Sequence, residues 1–579
     1  MADPGRVLWP LVVVGDRAAY LPEGRAGMPR VGSVSEVLSA AAADEAAHHP
    51  RWTVVSAATG LGRLIAANVP VTRSWDLAEV HRLLNGRWVA DPAHVHAESA
   101  GLSADSIPQR REANLFDMAP DARPDDRPDD PIGPDGHLRP DAFTPAWATT
   151  DARLLALAAL IARLAQSQHE RVAELGARAV ATAYAESAAA VLCLELERDG
   201  LPVDRARAET LIGQAAGPRP VNEADAARIR AERDAEVLRH APGRTADLRN
   251  PAQVKDLLAA AGVDVPSTRK WVLEPYRATH PLVAALLDWR RDERIATTYG
   301  YRWLDEHVGA DGRLRGAWTA CDGAAGRMTA QAGLHNLPAP LRSAVAAEPG
   351  HVLVRADLGQ IEPRVLAAVS GDVAFAEATL ADDLYAPVAA KLRVERPVAK
   401  VAVLAAMYGQ RSGAAGQALR DLERAYPIAM GLLDSAYAAG LASRPLRTFG
   451  GRLIRLDVAA QPEPGQAAGP GWDAARGRFA RNAIIQGAAA ELFKAWAATC
   501  RHELAPLAGR IVLCLHDELL VHVPATRADD AVAAVHRALA DSSRRWLATG
   551  SGPSGRAGTP PVRFVADVSV VSRWDEAKG

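Results

Sequence analysis

From residue 7 to residue 100 short apolar runs alternate with longer stretches in which apolar residues return every three or four positions. "VLWPLVVVG", "WTVVSA" and "RWVA" read as strands, while "SVSEVLSAAAADEAA" and "SWDLAEVHRLLNG" read as helices, an α/β alternation. Between about 117 and 141 the pattern stops. "DMAPDARPDDRPDDPIGPDGHLRPD" is mostly Pro and Asp, which predicts a flexible linker or surface insertion because so little apolar surface cannot offset ordering entropy. Helical spacing then dominates from 146 to about 310, as in "ESAAAVLCLELERDG" and "HPLVAALLDWRRDERIATTYGYRWL". After 350 come a strand, several helices, a hairpin near 511 and a last strand in "VRFVADVSVV", with no fixed-period repeat.

A chain of 579 residues predicts several domains, since single cores stop growing near roughly 250 to 300 residues. The formal net charge of −2 removes any argument from overall charge to a polyanionic partner, so a nucleic-acid surface must be local. Cys193, Cys321, Cys500 and Cys514 are scattered, without CxxC pairs or zinc-like spacing, which fits a reduced compartment. The first apolar run is too short for a signal peptide or a span, and no segment approaches 18 unbroken apolar residues. The expectation is a soluble, cytoplasmic protein without membrane contact.

Four stretches carry candidate chemistry. In "HVLVRADLGQIEPRVLAAVSGD" Asp357 closes a strand and Glu362 opens a helix, with Pro363 tolerated in its first turn. Turn formation at Asp357 and dipole complementation by Glu362 would explain them equally. In "RPVAKVAVLAAMYGQRSG" Arg396, Lys400, Leu404 and Tyr408 recur every four residues and share one broad helix face, over roughly 18 Å. Two cations, an apolar side chain and an aromatic in a row suit phosphates at one end and a flat base at the other. An amphipathic helix with solvated cations would look alike. In "RFARNAIIQGAAAELFKAW" Arg478, Asn482 and Gln486 repeat the spacing with planar hydrogen-bonding groups, though a solvated polar stripe would too. Finally, "IVLCLHDELLVHVP" reads as a hairpin whose tip bears His516, Asp517 and Glu518. Carboxylates there are costly if buried without a cation, and Asp357 at another strand end makes a divalent-cation site from separate elements plausible.

In this order the stretches resemble the polymerase core of family-A DNA polymerases. "ADLGQIEPRVLAAVSGD" is similar to motif A, "RPVAKVAVLAAMYG" to motif B and "LHDELLVHV" to motif C. "GRMTAQAGLHNLP", "TFGGRL" and the Arg478 row support the match, which extends over roughly 186 to 575 from "LELERDGLPVD". The resemblance implies an α+β multidomain fold: a right hand of palm, fingers and thumb behind an N-terminal RNase H-like α/β exonuclease-like domain. It places that domain at 1–165, thumb and the start of the palm at 166–345, palm at 346–375, fingers at 376–470 and palm again at 471–579. It implies Asp357 and Asp517 as ligands of two Mg²⁺ ions, replaceable by Mn²⁺, with Glu518 and Lys400 also catalytic. Arg396, Lys400, Leu404, Tyr408, Glu362, Gln360 and Tyr385 would bind the nucleotide, Glu362 excluding a 2′-hydroxyl. Arg478, Asn482, Gln486, His516, Arg327, Asn336 and Arg452 would bind DNA. The implied partners are primer-template DNA and dNTPs, and the implied state is a monomer.

The chain also departs from the family. Leu404 stands where Phe or Tyr usually meets the sugar, Leu358 and Gly359 replace Tyr-Ser, and Tyr385 stands where a triphosphate-contacting His is common. In the N-terminal region Asp16 has no Glu two residues on, "AATGLGRLI" has no acid, and "LLALAALIARLAQ" lacks the Tyr and Asp of a third exonuclease motif; only "SWDLAEVHRLL" around Asp76 is faintly similar. The expected function is primer extension with dNTPs in repair or gap filling, without proofreading. The alternatives are a polymerase-like DNA-binding protein with impaired catalysis and a bifunctional enzyme with an active 3′-5′ exonuclease.

Overall fold

The computed structural model describes residues 8–22, 27–109, 129–409, 416–457, 470–548 and 562–577. They form two compact units. One comprises Met1–Arg198, Ala317–Thr329 and Val354–Val570; the other comprises Asp199–Gly316, Ala330–Leu353 and Val571–Gly579.

The first unit opens with a five-stranded sheet in the order Arg30–Ser33, Arg17–Tyr20, Leu8–Val14, Arg51–Val54, Arg73–Asp76. The last three pair parallel, because a helix crossover separates each from the next, and the first three pair antiparallel, no helix intervening between them. Helix Val34–His48 starts at a capping box between Ser33 and Glu36 and ends with His49 in the left-handed region. The stretch read as one helix, "SWDLAEVHRLLNG", divides instead. Residues through Asp76 complete the sheet, and the Asp76 carboxylate accepts the N–H groups of Ala78 and Glu79 to start helix Leu77–Asn85. "RWVA" forms no strand, because Gly86 at φ +59° and the Asp91 cap of helix Pro92–Ala100 leave it no room, and Trp88 is 56% exposed.

The Pro/Asp-rich expectation at 117–141 lies partly outside the described residues. Its described part, from 129, is packed rather than loose: Ile132 bridges Leu138, and Leu138 enters the apolar cluster formed by Trp75, Leu83, Leu157 and Ile161. A few apolar residues spaced to reach one core suffice to hold a polar loop. Helix Ala177–Asp199 is long and apolar enough to cross a membrane, yet 67% of its apolar window is buried in the protein, and its Glu186 pairs with Lys494 at 2.6 Å.

The remainder of the first unit carries a four-stranded sheet in the order Arg510–Leu515, Glu518–Pro524, His351–Leu358, Ala566–Val571. Helix Pro470–Leu504 packs against helices Pro427–Leu441 and Ala528–Ala548, and helix Arg396–Tyr408 touches it as well. The second unit is mainly helical, with a core of Val254, Leu258, Leu273, Leu282, Leu286 and Trp289.

Candidate active site

Strand His351–Leu358 brings Asp357 to its end, and the neighbouring hairpin turns at His516 and Asp517. The Leu358 N–H donates to the Asp517 carbonyl at 2.9 Å, tying strand end to turn. Because Leu515 pairs with Glu518, the loop is two residues long, and His516 stands at φ +56°. A non-glycine residue costs about 1–2 kcal/mol in that region. The buried strands flanking it hold it there.

Burial, and next the charge of Asp517, pushes the Asp357 carboxyl up to about 6, against the opposing effect of Arg355. Burial likewise raises Asp517, with Glu362 and Glu518 adding to the shift. Neighbouring acids that suppress ionisation are short of positive charge. Carboxylate oxygens from separate elements fit a hard divalent cation such as Mg²⁺, and Asp357 and Asp517 are the residues that would hold it.

Glu518 is not at the tip. It begins the return strand, is buried, and accepts from Arg355 Nε at 3.0 Å. Arg355 also donates Nη2 to Asp357 Oδ2 at 2.9 Å. Sequence reading passed over this arginine, although strand alternation puts residues 355 and 357 on one face.

A cavity of about 280 Å³ adjoins the acids. Gln360 and Glu362 line it from the start of helix Ile361–Ser370, Leu404 and Tyr408 from helix Arg396–Tyr408, and Gln486 from helix Pro470–Leu504. Arg327, Tyr385, His516 and Asp517 also line it. The Glu362 carboxylate accepts Arg327 Nη2 at 3.0 Å and the Tyr408 hydroxyl at 3.4 Å. Burial raises Glu362, and Arg327 opposes that. Burial also pushes the Tyr385 hydroxyl up to about 12 and lowers the His516 imidazole.

Arg396 is exposed and clasps Asp383, Nε to Oδ2 at 2.5 Å, with its guanidinium 5.7 Å from the Tyr385 ring. Lys400 is exposed, forms no ion pair among the described residues and does not line the cavity. Arg478 is exposed and Asn482 partly so. Gly409, at φ +70°, ends helix Arg396–Tyr408, and a Cβ there would sit 3.1 Å from Arg478 Cγ. The left-handed backbone conformation favours glycine there, and the exposed Arg478 side chain is its nearest neighbour.

Two expectations change. Arg452, expected on DNA, is 3% exposed and sits between Glu186, at 2.8 Å, and Cys321, at 3.1 Å. A buried charge must be paired, and this arginine neutralises a core glutamate. Gln360 lines the cavity, but its amide is occupied: Nε2 donates to Asp383 at 2.7 Å and Oε1 accepts the Leu384 N–H at 2.8 Å. It shapes the loop that carries Tyr385. Asn336, expected on DNA, has an exposed side chain, and its backbone carbonyl accepts from Arg294 at 3.0 Å.

Two further arginines escaped notice. Arg364 is fully buried and donates to the carbonyls of Gly359, Thr379, Ala381, Asp382 and Arg563, fixing the turn after Asp357. Arg481 joins Ala406 O at 2.5 Å to Asp434 at 2.6 Å, clamping the helix that bears Leu404. The five carbonyls that Arg364 gathers are scattered in sequence, so no local pattern announces it.

The model for DNA polymerase family A matches residues 223–576 of the chain. A similar curated protein is DNA polymerase I of Chloroflexus aurantiacus, 31% identical over 287 residues, which cover 44% of this chain and 29% of that one. Another is the thermostable DNA polymerase I of Thermus filiformis, 29% identical over 306 residues, 46% of this chain and 35% of that one. The matched region thus spans about a third of these relatives' length. Among solved structures, the POL domain of Pol1 from M. smegmatis, in complex with DNA primer-template and dNTP, has a similar fold. Its TM-score is 0.66 at 20% identity, over 99% of this chain and 96% of that one.

Proposed function

The chain belongs to DNA polymerase family A, and from that premise we propose that it is a template-directed DNA polymerase extending a primer 3′ end with dNTPs. The observation that carries the reading is the meeting of Asp357 and Asp517 at adjoining strand ends, beside a cavity walled by Glu362, Leu404 and Tyr408. Two Mg²⁺ ions, when bound there, supply activation of the attacking hydroxyl and charge neutralisation at the leaving pyrophosphate. Asp357 and Asp517 hold their oxygens at fixed positions through the sheet. Arg396 and Lys400 offer exposed cations to a triphosphate, with Arg396 exchanging its Asp383 contact for phosphate. Leu404 and Tyr408 give the sugar and base an apolar and an aromatic surface. Glu362, steadied by Arg327, fills the space that a 2′-hydroxyl would need. Arg478, Asn482, Gln486, Arg327 and His516 are the proposed DNA contacts.

Primer extension in Mg²⁺ tests this. Asp517→Ala should lose about 10³-fold or more in rate, since removing a metal ligand removes several kcal/mol of charge stabilisation. Equal extension by wild type and variant would sink the metal assignment, and primer-template binding without extension in the wild type would favour the impaired, DNA-binding alternative.

The N-terminal domain is proposed to be without proofreading activity. Asp76, its one exonuclease-like acid, is 1% exposed and spends its carboxylate on the N–H groups of Ala57, Ala78 and Glu79. A 3′-mismatched primer without dNTPs should therefore stay intact, and metal-dependent trimming would instead support the bifunctional reading. A monomer working in repair or gap filling in the cytoplasm completes the proposal.

A further inference from the structure

The sheet that carries the acids also carries a permanent cation among them. Residues 355 and 357 lie on one face of strand His351–Leu358, while Glu518 comes from the strand on one side and Asp567 from the strand on the other. The Arg355 guanidinium reaches all three: Nη2 is 2.9 Å from Asp357 Oδ2 and 3.0 Å from Glu518 Oε2, and Nη1 is 3.7 Å from Asp567 Oδ2. The Arg355 side chain is only 8% exposed and that of Glu518 10%. Arginine does not lose its proton in a protein, and its fork holds two carboxylates at once where an ammonium is a single point. The oxygen it holds on Asp357 belongs to a residue assigned above to the metal.

We propose that Arg355 is a built-in counter-ion of Asp357 and Glu518, a positioning residue whose hold on Asp357 must be given up or shared when a divalent cation binds. The inference rests on the metal assignment of the proposed function. Arg355 keeps Asp357 and Glu518 in place beforehand and sets a higher cation concentration for filling the site than the carboxylates alone would require. A purely structural ion pair makes the opposite forecast, because its removal would loosen Asp357 and weaken the metal.

Mn²⁺ is the probe, titrated into the full chain without DNA or nucleotide and followed by electron paramagnetic resonance of the free ion. Arg355→Gln, checked for folding by circular dichroism, should bind Mn²⁺ about tenfold more tightly, the lower end of coupling for close charge pairs. Arg355→Lys keeps the charge but cannot span both acids, and should tighten binding about threefold on the same scale. It decides the matter if the glutamine variant does not fold. In extension assays the Mg²⁺ concentration at half-maximal rate should fall by a similar factor. Unchanged or weaker Mn²⁺ binding in the folded variants overturns the inference. The Asp517→Asn variant separates the two failures. If wild-type binding does not depend on Asp517, the metal assignment falls and the inference with it. If it does, and Arg355→Gln matches wild type, only the inference falls.

Discussion

At the scale of single residues, what a side chain does here follows from what else its atoms are holding. Glu362 is the clearest case: it is 17% exposed at its side chain and fixed from two sides by Arg327 and Tyr408. Glu362→Ala should open the cavity wall and raise ribonucleotide incorporation relative to deoxyribonucleotide by about tenfold, the worth of one pocket contact. Competing single-nucleotide extensions with dNTP and NTP read that ratio, and an unchanged ratio would remove Glu362 from sugar selection. Residue type and spacing were enough to single out Asp357, Asp517 and Glu362. They could not tell Arg452 from Arg327, because an arginine on the cavity wall beside Glu362 and one neutralising buried Glu186 carry the same letter. Only the enclosing helices make the difference.

At the scale of elements, periodicity reads true wherever one face is buried. The helix Arg396–Tyr408 keeps Ala399, Ala402, Val403 and Ala406 inside and leaves Arg396, Lys400 and Tyr408 exposed, as spacing by four requires. Helix Leu77–Asn85 differs, for it is buried almost all round and therefore lacks a clean polar stripe. Its His81 is 1% exposed, lies 3.1 Å from Asn85 through Nδ1, and its Nε2 has no partner among the described residues. Burial lowers this imidazole from its ordinary 6.5 to about 4. The folded state thus favours the neutral ring; its contribution is complete above pH 6.5 and is lost as pH falls from there towards 4. Replacing it by glutamine should remove that loss, so urea unfolding at pH 7 and pH 4.5 should show the gap between wild type and His81→Gln shifting by ~2 kcal/mol in favour of the variant. A constant gap would mean that His81 takes up its proton freely in the folded chain.

At the scale of the molecule, the N-terminal sheet is part of the first unit's core. Val12, Val14 and Trp75 join one apolar cluster with Leu157, Ile161 and Ala183, while Arg501 of helix Pro470–Leu504 donates to the Val71 carbonyl at 2.6 Å. A chain reduced to residues 150–579 should melt about 10 °C lower or more, since losing even a few kcal/mol of such burial moves a large unit by several degrees. Differential scanning calorimetry on both chains checks this, and an unchanged melting temperature would show the N-terminal domain to be dispensable for folding. The sequence by itself determined the alternation of elements, the family resemblance and the acids at Asp357 and Asp517, because helix and strand periods and strand-end carboxylates are local properties of the chain. Tertiary structure alone decided that Arg355 lies among those acids, that Arg364 locks the turn beside them, and that Arg452 serves the core. Each depends on which strands become neighbours and which charges are taken out of water, and the energy of a charge is set by its surroundings rather than by its place in the chain.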